Sequence, residues 1–144
     1  MPASTLNPTP APIHEIMAYR HDNVLRRYVR DYCATAQEAA LCFEALKQFL
    51  VVCAVGGGAQ TSSQPVDDMW HTFLLFTRDY REFCEGHLGR FIAHRPGGGL
   101  PEGTYRKTRE CAADLFVTLD ENYWPQETDR ADCDEGSGAS GHCP

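Results

Sequence analysis

From Val66 to Pro96 the chain reads VDDMWHTFLLFTRDYREFCEGHLGRFIAHRP, and this stretch limits the fold more than any other. Val66, Met69, Trp70, Phe73, Phe76, Thr77, Tyr80, Phe83 and Cys84 recur at spacings of three and four, the repeat of one helix face. A face so broad has to be covered by other elements. No segment of the chain shows the alternation of a strand, so the covering elements are expected to be helices. The stretch also holds His71, His87 and His94, three of the six histidines. Core-forming residues and residues able to do chemistry therefore share one element.

The rest of the chain fits around it. Residues 1–11, rich in proline and polar residues, have little to bury and are expected to be disordered. Pro12 suits a first helical position, since its missing N–H would be unpaired there anyway. Ile13, Ile16 and Met17 form an apolar edge. His21-Asp22-Asn23 reads as a break, with Asp22 as cap, before a stripe of Val24, Leu25, Tyr28, Val29 and Tyr32. Thr35 and Glu38 have the spacing of a capping box at the start of a long helix, 36–55. Gly56-Gly57-Gly58 ends that helix, and residues 61–65 link to the central one. Asp67 and Asp68 fall in its first turn, where negative charge suits the helix dipole. The central helix is expected to close at Gly86 or Gly89. Phe91-Ile92-Ala93 is an apolar return, and His94-Arg95-Pro96 opens a glycine-rich loop. A last helix is expected from about Thr104 to Asn122, stopped by Pro125. The expected fold is all-α: a compact bundle of four or five helices at 12–125, with an acidic Gly/Ser/Cys tail at 126–144.

Charge and cysteine content narrow the function classes. The net charge of −7 includes a strongly acidic tail, in which Glu127, Asp129, Asp132, Asp134 and Glu135 face one base, Arg130. A body with no basic face does not suit nucleic acid or an anionic membrane. The N-terminus has neither the charged start nor the apolar run of a signal peptide, so a cytoplasmic location is expected. Seven cysteines cannot all pair internally, and thiols are expected rather than a disulfide framework. Cys33, Cys42, Cys53 and Cys111 read as small packing residues.

Three groups of residues could carry chemistry. Asp67 and His71, four apart, share one side of the central helix, away from the Val66–Phe73–Tyr80 face. A carboxylate there can fix the tautomer that a metal-ligating or proton-transferring histidine needs, and it can equally make a hydrogen bond that pins helix to helix. Cys84 and His87, with His94 and His71, offer enough nitrogen and sulfur for a tetrahedral zinc site, although the spacing matches no standard zinc signature. The plain alternative is a packed Cys84 and a His87 that complements the helix C-terminus. A Cys84–His87 nucleophile would need a lowered thiol pKa and an oxyanion pocket, for which the sequence offers nothing. In the tail, Cys133, His142 and Cys143 could bind a soft or borderline ion, or be incidental.

The pattern formed by Val66, Asp67, Trp70, His71, Thr77, Tyr80, Cys84, Gly89 and Arg90, ending in His94 and Pro96, resembles the glycine-rich domain-containing proteins of plants and bacteria, in a short bacterial-type version. The resemblance spans about residues 15–125 and is specific between Val66 and Pro96. It implies a helical domain with its site in this stretch and implies no reaction; plant members of that family are linked to stress responses and development.

The expected function is a small binding or interaction module, for a protein or small ligand, with its surface around the central helix and the His94–Pro96 turn. A metal-binding protein, with zinc or copper on His71, Cys84, His87 and His94 or on the tail, is the alternative. An enzyme centred on Asp67 and His71 is the third reading.

Overall fold

The computed structural model of the chain describes residues 10–95 and 99–126. These form helices α1 (Ile13–Ala18), α2 (Asp22–Tyr32), α3 (Ala36–Val55), α4 (Gln64–Leu74), α5 (Thr77–Phe83) and α6 (Thr104–Leu115), with a π-turn at Cys84–Leu88 between α5 and α6. No strand occurs among the described residues, so the fold is all-α as expected. Most of the expected N-terminal segment, Pro96, and the tail with Cys133, His142 and Cys143 lie outside the described residues.

Helix α3 is the hub, packing against α1, α2, α4, α6 and the π-turn. Its start carries the capping box: Glu38 N–H donates to the Thr35 hydroxyl (3.0 Å) and Thr35 N–H to the Glu38 carboxylate (2.9 Å). It is buried almost all round, through Ala39, Cys42, Phe43, Ala45, Leu46, Phe49, Leu50, Val51 and Val52. Each large side chain among these contributes roughly 1.5–3 kcal/mol by leaving water. Lys47 is buried with them. Its ammonium donates to the carbonyls of Met17 and Tyr19 (2.7 Å each), the open end of α1, and to Glu44 (2.9 Å). A buried cation is tolerable only when its donors are used in this way.

The structure departs from the sequence reading at several points. His21, not Asp22, caps α2, its Nδ1 accepting from Val24 N–H (3.2 Å) while Nε2–H donates to Asp79 (2.6 Å). Helix α3 does end at Gly56, but Gly56 is extended (φ −82°), and the left-handed residue is Gly58 (φ +82°). Cys33, expected to pack, is the exposed left-handed cap of α2 (φ 57°) and is disulfide-bonded, whereas Cys42, Cys53, Cys84 and Cys111 are free. Helix α6 stops at Leu115, where Phe116 turns extended; the β-branched Val117 and Thr118 follow, Val117 fully exposed. Trp124 still reaches the core, its indole N–H bonded to Gln48 (2.9 Å).

The expected single central helix is three pieces. Phe73-Leu74-Leu75-Phe76 are four successive apolar residues, which a straight helix would spread around most of its circumference. The chain breaks at Phe76 (φ −99°, ψ 68°), keeping Phe73 fully buried while Leu75 faces solvent. Thr77 consequently starts α5 on the exposed side instead of joining the apolar face. After α5 the π-turn, closed by Gly89 in the left-handed region (φ 87°), returns the chain along α4. That return positions the candidate site.

Candidate metal centre

The Asp67 and His71 side chains leave α4 one turn apart, as their spacing requires. His94 comes from the returning segment and meets them. His94 Nε2 lies 2.9 Å from one Asp67 carboxylate oxygen, and His71 Nε2 lies 3.7 Å from the other. The two imidazole rings are 4.4 Å apart between centroids. One donor atom from each residue falls within 4.8 Å of the other two, and among the described residues this is the cluster able to hold a metal ion.

The placement of His94 has an identifiable cause. Trp70, one turn before Leu74 on α4, donates its indole N–H to the Tyr80 hydroxyl (2.9 Å), which donates in turn to the Ile92 carbonyl (2.5 Å). All three residues are buried. The Trp70 ring also meets the His94 ring at 4.4 Å, close to edge-on. The returning chain is thus held two residues before His94, and the imidazole is walled on its inner side.

Neighbouring groups set the field. Asp68 accepts from the Gln64 amide (2.9 Å), and burial pushes its carboxyl above the usual carboxylate range. Asp67 keeps both oxygens for the two histidines. It sits in the first turn of α4 between two imidazole neighbours.

Cys84 and His87 do not join this site. The Cys84 thiol is fully buried beside Tyr80 and the Ile92 backbone, and burial raises its pKa above the ordinary thiol value. That is the opposite of what a nucleophile or thiolate ligand needs. His87 stacks on Phe83 at 5.1 Å and meets Tyr19 edge-on at 5.4 Å, with Nδ1 buried and without a hydrogen-bond partner. Their shared stripe was legible from spacing; the burial of Cys84 and the stacking of His87 on Phe83, apart from His71 and His94, follow from the π-turn, which spacing does not reveal. Sequence reasoning also passed over Tyr80 and Trp70 as plain core residues. Each carries a polar atom that must find a partner when buried, and that was the available signal.

An all-α domain built on a long central hub, with a two-histidine, one-aspartate cluster on its surface, is thus the class of molecule that fold and site define. A family model described as UCP032817-like matches residues 13–128, and the chain belongs to that family. The match corrects the resemblance to glycine-rich domain-containing proteins: no such family is indicated. Of the residues that suggested it, Val66, Trp70, Tyr80 and Cys84 are buried in the core, so the pattern reflects how this stretch packs. No curated protein and no solved structure matches the chain. No described helix is long and apolar enough to cross a membrane.

Proposed function

We propose that the chain is a metal-binding protein whose ion is held by Asp67 of α4, His71 of the same helix and His94 of the returning segment. The observation that supports this reading is the convergence of these three donors from two separate stretches of chain. An ion bonded at about 2.0–2.1 Å to each donor asks for donor separations of roughly 3.0–3.4 Å, depending on coordination geometry. The donor atoms lie within 4.8 Å of one another, with His94 Nε2 2.9 Å from one Asp67 oxygen and His71 Nε2 3.7 Å from the other, so an ion would draw them closer by side-chain rotation.

Two imidazoles and a carboxylate suit zinc or another borderline divalent ion. With no thiolate in the cluster, monovalent copper is disfavoured. Asp67 stands in this set where the sequence offers Cys84 and His87 as candidate ligands. The broader reading as a binding module narrows to this surface, and the enzyme reading rests on the same residues.

Native mass spectrometry of metal-stripped protein exposed to one equivalent of zinc tests the proposal. The expected result is a single-ion mass increment, lost in Asp67→Asn, His71→Ala and His94→Ala and kept in His87→Ala. Zinc binding that survives all three substitutions, or depends on His87, would overturn it.

A further inference from the structure

Resting on the metal reading, we infer that the ion keeps coordination positions open on its His71 side and takes its ligand there, as an oxygen-donor anion such as a carboxylate or hydroxamate. Structural zinc is enclosed by four protein ligands, whereas sites that act on a substrate have three and leave a position to water or substrate. Among the described residues three donors converge, and other groups of this stretch able to supply a fourth are committed elsewhere. Asp68 is held by Gln64, Cys84 is buried beside Tyr80 and Ile92, and His87 is stacked on Phe83.

The walls of the site are unequal. The His94 side chain is 14% exposed, covered by Trp70; the Asp67 side chain is 32% exposed and that of His71 50%. An ion among them would be closed off towards Trp70 and reachable past His71. A dication bound to one carboxylate retains positive charge, so an incoming anion is favoured over a neutral ligand. Oxygen donors fit the imidazole and carboxylate character of the set better than soft sulfur donors. The ligand class follows from the charge, the vacancy and the direction of approach.

Cobalt(II) in place of zinc gives this inference a visible readout. The protein is loaded with one equivalent of cobalt and titrated with acetohydroxamate while its visible absorption is followed. In parallel, calorimetry measures acetohydroxamate binding to zinc-loaded and metal-free protein. The expected result is a saturable change in the cobalt bands and a binding heat that appears only with metal. If cobalt binds but its bands stay fixed under a hundredfold excess of hydroxamate, the coordination sphere is closed and this inference fails while the metal reading stands. If neither cobalt nor zinc binds, both fail together.

Discussion

Cys42 and Cys53 show what burial does to a residue whose free form is reactive. Burial pushes both thiols from 9.0 up to about 12, and it raises Cys84 as well. Their charged forms are excluded from the fold, so each is raised relative to the unfolded chain. A raised folded pKa contributes stability that is complete below the unfolded value and is lost as pH climbs towards the folded one. For these thiols the window runs from 9.0 to about 12. Tyr28 and Tyr80, raised chiefly by burial, act in the same direction from 10.0 upwards. Lys47, lowered chiefly by burial, acts the other way, as a single group against several. The thermal midpoint should therefore hold steady to about pH 8.5 and fall progressively above pH 9. A midpoint that is flat or rising between pH 9 and 11, followed by circular dichroism, would contradict this assignment of buried neutral thiols and phenols.

At the scale of elements, the break between α4 and α5 and the π-turn after α5 decide where the histidines end up. A continuous helix would carry the chain after His71 away along its axis. The break and the turn bring residues 92–94 back beside α4, and the Trp70–Tyr80–Ile92 hydrogen bonds lock that return. Tyr80→Phe keeps the ring but leaves the Trp70 N–H and the Ile92 carbonyl buried without partners. It should cost about 1–3 kcal/mol in urea unfolding while helix content is retained. Unchanged stability would mean that those groups find other partners and that the lock is not where the geometry puts it. The break carries no proline or glycine; its only trace in the sequence is the run of four apolar residues from Phe73 to Phe76.

For the molecule as a whole, what could be read in advance was what depends on short spacings. The capping box of Thr35 and Glu38, the buried stripe of α3 and the shared face of Asp67 and His71 are all set within one or two turns. The meeting of His94 with Asp67, 27 residues away, depends on how the chain returns; spacing alone groups His94 with His71, Cys84 and His87 instead. Cys84 and His87 looked equally eligible because their spacing is helical, and only packing separates them from His71 and His94. The central claim is that one ion is held by Asp67, His71 and His94 and by no sulfur. X-ray absorption at the zinc edge of the zinc-loaded protein tests it most directly. The predicted first shell contains only nitrogen and oxygen at about 2.0–2.1 Å, with the outer-shell pattern of two imidazoles. A sulfur contribution near 2.3 Å, or a fully hydrated ion with no imidazole signal, would contradict it.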